Sequence, residues 1–472
     1  RGRRMSGAAK RPITLAPGAE IDGWVLEKHL HVGGMATLWQ ARRADREQPA
    51  LLKFPILRDA NDPTAIVSFE VETMILPRLH GPHVPQFLGA GGFDTTPFLA
   101  MELIAGDSLR ARIDQAPLPP AEVAAIGARI ATALHALHRQ HVIHLDLKPS
   151  NVMFRADGSA VLIDFGLARH DQLPDLLAEE FRLPLGTGPY ISPEQVLQIR
   201  NDPRSDQFAL GVLLYYLLTG ERPFGFPTTV RGLRKRLVEQ PRPPLTLNPQ
   251  CPPWLQEVIL RCLEVEADQR YGSAAQLAFD LQHPEAVALT ERATRANQGS
   301  LKARWQRWWR ALGREPKAAG ASAQLHAAPI VMAAVDLSQD WEALAEEVRT
   351  VVRHVLAASP GARLACVAVL KTARIGLDAP APEGERNPHV KKLIELRHWA
   401  KPLALPIERI SCHVLEAPDV ADAILDYAHT NRVDHIVIGS RGPSTLRRYL
   451  GSVSAKVVAQ SACSITVVKV RS

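Results

Sequence analysis

No apolar run in this sequence is long enough to cross a bilayer. The longest, Phe208 to Leu218, falls short of the roughly 20 residues that a spanning helix needs, and no secretory apolar segment follows the N-terminus. Cysteine is scarce. The five, Cys251, Cys262, Cys366, Cys412 and Cys463, lie far apart with no Cys-x-x-Cys pair, so nothing signals zinc or redox chemistry and a reducing cytoplasm fits best. No charge of one sign dominates either: the net charge of +7 is mild and the basic residues are dispersed except in one segment, so no nucleic-acid partner is expected. Hydrophobic content of 46% and charged content of 22% exclude a mainly disordered chain. At 472 residues the chain exceeds what one core usually supports, and two or three domains are expected.

After an N-terminal tail, residues 1–20, the chain reads as short strands with one helix-like stretch, Ala65 to Leu79, as far as about residue 103. From Pro120, apolar residues recur at helical spacing, as in Val123, Ile126, Ile130, Leu134 and Leu137, and a larger helical lobe is expected over about 104–285. Residues 286–326 break the pattern, are rich in Ala, Arg, Gln and Trp, and read as a linker. Within it Leu301, Trp305, Trp308, Trp309 and Leu312 fall on one helical face beside Lys302, Arg304, Arg307, Arg310 and Arg314. Such a basic amphipathic helix suits packing on a neighbouring domain, an anionic membrane surface or a regulatory latch. From 327 to 472, apolar strands Ile330–Val335, Leu364–Leu370, Ile410–Leu415, His435–Ile438 and Ile465–Val470 alternate with helical stretches, the pattern of a parallel α/β sheet.

Two motifs carry chemistry. His144-Leu145-Asp146-Leu147-Lys148-Pro149-Ser150-Asn151 is followed after twelve residues by Asp164-Phe165-Gly166. One carboxylate can orient a hydroxyl and take its proton, while the other carboxylate and the amide can hold magnesium against phosphates.

On these motifs and their order, residues 21–285 resemble bacterial eukaryotic-like serine/threonine protein kinases, which implies an α+β bilobal fold using ATP and Mg2+ on protein substrates. By that resemblance Val32, Gly33, Gly34 and Leu38 belong to the glycine-rich loop region over ATP, Lys53 neutralises phosphates and Glu72 is its ion-pair partner. Met101, Glu102 and Ile104 resemble the hinge at the adenine, and Met153 its floor. Asp146 is the implied base, Lys148 steadies the γ-phosphate, and Asn151 and Asp164 are the implied metal ligands. Gly186 to Glu194 resembles the substrate-docking end of the activation segment, which with Lys148 favours Ser or Thr as acceptor; Arg270, partner to Glu194, and Asp206 are read as structural.

The chain departs from the family at four places. His31 stands where the first loop glycine is expected, Ala36 replaces the third, and Leu51 sits where a smaller Ala usually covers adenine. Leu145 replaces the arginine that normally meets an activation-loop phosphate, and residues 167–185 contain no Ser, Thr or Tyr. The expectation is a kinase not switched on by phosphorylation in that stretch. The alternative is a pseudokinase scaffold that binds nucleotide without transfer.

Residues 327–472 resemble the universal stress protein family, a Rossmann-like fold. The motif is Gly439-Ser440-Arg441-Gly442 followed by Gly451-Ser452, a glycine loop leading into a helix N-terminus that suits phosphates. The spacing between Gly442 and Gly451 is eight residues, one fewer than the family's ATP-binding pattern. Asp336, ending the first strand, would meet the ribose at the topological switch point. The resemblance implies adenine-nucleotide sensing or a homodimer through the edge of the last strand.

Overall fold

The computed structural model describes residues 14–57, 63–297, 328–338, 342–372, 387–440 and 451–469. It divides into two compact units, one of residues 1–69, 87–103 and 329–472, the other of residues 70–86 and 104–328.

The first unit contains two separate sheets. One is six-stranded and antiparallel: β1 (Glu20–Ile21), β2 (Trp24–Val32), β3 (Ala36–Arg42), β4 (Ala50–Pro55), β5 (Phe87–Gly91) and β6 (Phe98–Glu102), in the order β1-β2-β3-β4-β6-β5. Alternation along β4 and β3 buries Trp39, Ala41, Ala50, Leu52 and Phe54 with Trp24, Leu26 and Phe98. That period-two pattern is why these segments are strands. Arg43 lies 4.6 Å over the Trp24 ring and covers the rim of this core. Between β4 and β5 runs α1 (Thr64–Ile75).

The helical lobe follows as α2 (Arg110–Ile113), α3 (Pro120–His138), β7 (Val142–Ile143), β8 (Val152–Phe154), β9 (Ala160–Leu162), β10 (Arg169–His170), α4 (Leu176–Glu180), α5 (Pro193–Val196), α6 (Arg204–Thr219), α7 (Val230–Arg234), α8 (Pro253–Cys262) and α9 (Ala274–Gln282). Val123, Ile126, Ile130, Leu134 and Leu137 of α3 are all buried, as their spacing predicts. The Phe208–Leu218 run lies in α6, which is buried on nearly every side and stops at left-handed Gly220. Its apolar length reflects core position. Among the described residues no helix is long and apolar enough to cross a membrane.

The chain stays on this lobe past residue 285, where the linker was expected to begin. Gln256 donates from Nε2 to the carbonyls of Arg292, Ala293 and Arg295, and the buried Glu257 carboxylate takes Thr290 and Arg292. Composition could not show this, because the holding groups sit in α8 and act on backbone. The tryptophan segment, 301–314, lies outside the described residues.

The C-terminal domain is a five-stranded parallel sheet of β11 (Ile330–Ala334), β12 (Arg363–Lys371), β13 (Ile410–Ala417), β14 (His435–Gly439) and β15 (Ser464–Val468), ordered β13-β12-β11-β14-β15. Helices α10 (Glu342–Ala358) and α11 (Pro388–Ala400) pack on one face through Leu344, Val348, Val352, Leu396 and Trp399. Helices α12 (Val420–Thr430) and α13 (Ser452–Gln460) pack on the other through Ala421, Ile424, Tyr427 and Val457. Both faces are covered, so the strands read as near-continuous apolar runs.

Candidate active site

The catalytic loop between β7 and β8 is built on a buried carboxylate. Asp206, 1% exposed at the start of α6, accepts the backbone N–H of His144 and of Leu145, each at 2.9 Å, and His138 Nε2 lies 2.8 Å away. Burial alone would raise this carboxyl's pKa, but His138 and the loop groups outweigh it and hold it below its ordinary value. The two N–H bonds fix Leu145 at φ +61, a left-handed backbone that a leucine does not favour. His144 continues the scaffold: its Nε2 meets the Ile163 carbonyl at 3.1 Å and its Nδ1 accepts from Asp146 N–H at 3.3 Å. A carbonyl only accepts and an amide only donates, so Nε2 is the ring's donor and Nδ1 its acceptor.

Asp146 is then surrounded by donors. Oδ1 accepts from Thr187 N at 2.9 Å and Thr187 Oγ1 at 2.7 Å, and Oδ2 accepts from Lys148 Nζ at 2.6 Å and Asn151 Nδ2 at 3.3 Å. Asn151 also donates to the Asp146 carbonyl at 3.0 Å, which orients its amide; its Oδ1 accepts from Ser150 Oγ at 3.2 Å and is the oxygen of this side chain that could also meet a hard cation. Asp164 has φ +67. The next residue, Phe165, donates its N–H to Glu72 Oε1 at 3.2 Å, and Glu72 is 1% exposed. Met153 lies on β8, bridged to Ser108, and Ile104 is buried.

Gln195 ties the activation segment to this loop. Its Nε2 donates to the carbonyls of Leu145 at 2.8 Å and Leu185 at 3.3 Å, while its Oε1 accepts from Ser192 N. Gly186 sits between with φ +132, and a Cβ there would lie 3.0 Å from Ile191 and 3.4 Å from the Leu145 carbonyl, so glycine is required. Glu194 receives Arg270 through two bonds of 2.7 and 2.9 Å, as the structural reading of that pair expects. Thr187 belongs to the docking segment and Gln195 follows it, and nothing in the sequence pattern marks either as a contact of the catalytic loop.

The antiparallel sheet holds the remaining nucleotide candidates. Val32 ends β2, Leu38 pairs with Lys53 across β3 and β4, and Lys53 pairs with Leu99 of β6. Gly33 closes the β2–β3 turn by donating to the Ala36 carbonyl. His31 is paired with Leu38 after a bulge, exposed, with its ring near Gly33. Met101 and Glu102 lie on β6, and Leu51 faces Met101 in the ladder.

In the C-terminal domain Asp336 follows β11 and Gly439 ends β14, and these strands are neighbours. Strand order reverses there, which makes it the switch point of the sheet. Asp336 Oδ1 accepts Ser338 N and Oγ. A Cβ on Gly439 would come within 2.8 Å of Leu344, so close packing of α10 accounts for that glycine. Ser440 Oγ accepts Gly451 N–H at 3.1 Å just before Ser452 opens α13. Gly442 lies outside the described residues.

A carboxylate that accepts from a lysine, an amide and a threonine is an arrangement suited to a phosphotransferase loop. The protein kinase domain model matches residues 24–283, more than half of the chain, and the universal stress protein family model matches 329–469. The serine/threonine-protein kinase PknL of Mycobacterium tuberculosis is 32% identical over 284 residues, covering 60% of this chain and 70% of PknL. PknB of Mycobacterium leprae is 30% identical, covering 58% of this chain and 46% of PknB. The crystal structure of the M. tuberculosis PknI kinase domain matches at 25% identity with a TM-score of 0.46, covering 57% of this chain and 99% of that one. The chain therefore belongs to the serine/threonine branch of the protein kinase family and carries a universal stress protein domain.

Proposed function

We propose that this enzyme transfers the γ-phosphate of ATP to Ser or Thr hydroxyls of proteins, itself included. The ring of donors on Asp146 supports this most directly, since it holds one carboxylate oriented for an incoming hydroxyl. Lys148 steadies the transferring group. The donor set of Asn151 Oδ1 and the Asp164 carboxylate fits magnesium, which takes one or two protein oxygens and the rest from phosphate and water; bound there, the ion would offset developing charge. Lys53 and Glu72 position the phosphates, and Val32, Gly33, Gly34, Leu38, Met101, Glu102, Ile104 and Met153 hold the nucleotide. The C-terminal domain senses adenine nucleotide through Asp336, Gly439, Gly442, Gly451 and Ser452, or joins two copies through β15.

The test is transfer from labelled ATP to a generic acceptor protein, with the full chain. Asp146→Asn keeps the shape but removes the base, and incorporation is expected to fall by about a hundredfold or more. Wild-type transfer by this variant would end the proposal.

A further inference from the structure

The loop arginine and the phosphorylatable residues are both missing, yet the activation segment is held at its midpoint by charge. Asp175, only 8% exposed, is gripped by Arg200, whose Nε reaches Oδ2 at 2.9 Å and Oδ1 at 3.2 Å. Arg169 Nε stands 3.7 Å from the same carboxylate, and both guanidinium groups are at most 8% exposed. Asp175 also caps α4 by accepting Ala178 N–H. Burial pulls Arg169 below its ordinary pKa, Asp175 opposes that, and the like charge of Arg200 adds to it.

Each arginine is tied to the catalytic centre. Arg169 lies on β10, whose two residues pair with Val142 and Ile143 immediately before the catalytic loop. Arg200 donates from Nη2 to the Leu167 carbonyl at 3.0 Å, one residue beyond Asp164-Phe165-Gly166. Asp175 thus fastens the middle of the segment to the strand entering the catalytic loop and to the residues leaving the metal-binding motif. Phosphorylation nearby cannot take this role: residues 167–185 offer no acceptor, and the Thr187 hydroxyl is committed to Asp146 at 2.7 Å. A phosphate on Thr187 would face that carboxylate with like charge.

We propose that Asp175, clamped by Arg200 and Arg169, is a built-in positioning residue that replaces activation-loop phosphate and keeps the segment in its substrate-docking conformation without modification. This rests on the kinase reading above.

Asp175→Asn preserves size and removes the charge. In the full chain we expect about a tenfold fall in kcat with the KM for ATP within about twofold, and trypsin cleavage after Arg182 several-fold faster. Arg200→Gln should match it, Arg200→Lys should be intermediate, and the double variant Asp175→Asn with Arg200→Gln should be no worse than either single change. Phosphatase-treated wild type should keep its rate. Wild-type kcat together with unchanged cleavage in Asp175→Asn would overturn the proposal, as would multiplicative losses in the double variant or inactivation by phosphatase. If wild type transferred nothing, the proposed function would fail, and the cleavage comparison would still decide whether Asp175 holds the segment. Melting curves within a few degrees of wild type separate a loosened segment from a failed fold.

Discussion

Replacing Asp206 by Asn should weaken the fold and the chemistry together. The wild-type carboxylate serves two backbone N–H groups through two oxygens and faces His138. Asparagine has one oxygen, so if it keeps Leu145 its amide nitrogen points at the His144 N–H. One buried donor is left unpaired, about 1–3 kcal/mol, and the surviving bonds lose charge assistance worth roughly another 1 kcal/mol. The remaining neutral acceptor holds the left-handed backbone of Leu145, itself costing about 1–2 kcal/mol, less firmly than the carboxylate did. A loss of about 3 kcal/mol at pH 7 corresponds to a fall of about 6–12 °C in the melting temperature of a domain this size. Because Leu145 adjoins Asp146, kcat should fall while the KM for ATP changes little. The pH dependence follows from the lowered folded-state pKa of Asp206. A depressed carboxyl contributes stability that is present above its unfolded pKa of about 3.9 and is lost as pH falls through the folded value. The gap between wild type and Asp206→Asn should therefore narrow below about pH 4. Thermal melts of both proteins by circular dichroism across pH check this. A variant within about 0.5 kcal/mol of wild type at pH 7, or a gap that stays constant in acid, would refute the reasoning.

Two further outcomes are expected. Burial pushes the Cys251 and Cys262 thiols up to about 12, and the hydrogen bond to Cys412, with burial, raises Cys366, whereas that same bond, with Arg397 and His413 nearby, lowers Cys412; brief alkylation of the native protein near neutral pH should label Cys412 and the partly exposed Cys463 first, and equally fast labelling of Cys251 or Cys262 would contradict it. Gly439→Ala drives a Cβ into Leu344 and should cost the C-terminal domain about 1–3 kcal/mol by calorimetry; an unaltered melt would show that α10 yields there.

The kinase motifs were legible because each is local and their order along the chain is informative. The helical period of α3 and the five apolar strands of the second sheet were legible for the same reason: a buried face repeats in sequence. The contacts that complete the site were not. Asp175 meets Arg200 across 25 positions, Gln195 reaches Leu145 across 50, and Gly439 needs its missing Cβ because of Leu344. Gly439 stands in a motif, but neither that motif nor the neighbours of Asp175 and Gln195 reveal these partners. Leu145 shows both sides: its identity marks a missing latch, but its left-handed backbone and the carboxylate beneath it arise only in the folded chain.

Gln256 and Glu257 set a practical limit on how this chain can be divided. Cutting after residue 285, where composition changes, would strip Thr290 and Arg292 from a carboxylate only 2% exposed and leave an amide without its three carbonyls. Losing the ion pair and the hydrogen bonds that hold this segment on α8 costs about 1–3 kcal/mol, a noticeable share of a domain's stability. A catalytic fragment ending at 285 should therefore aggregate or lose activity for reasons unrelated to the stress-protein domain, and a loss seen in such a fragment would be mistaken for regulation. Ending it at residue 297 retains those contacts.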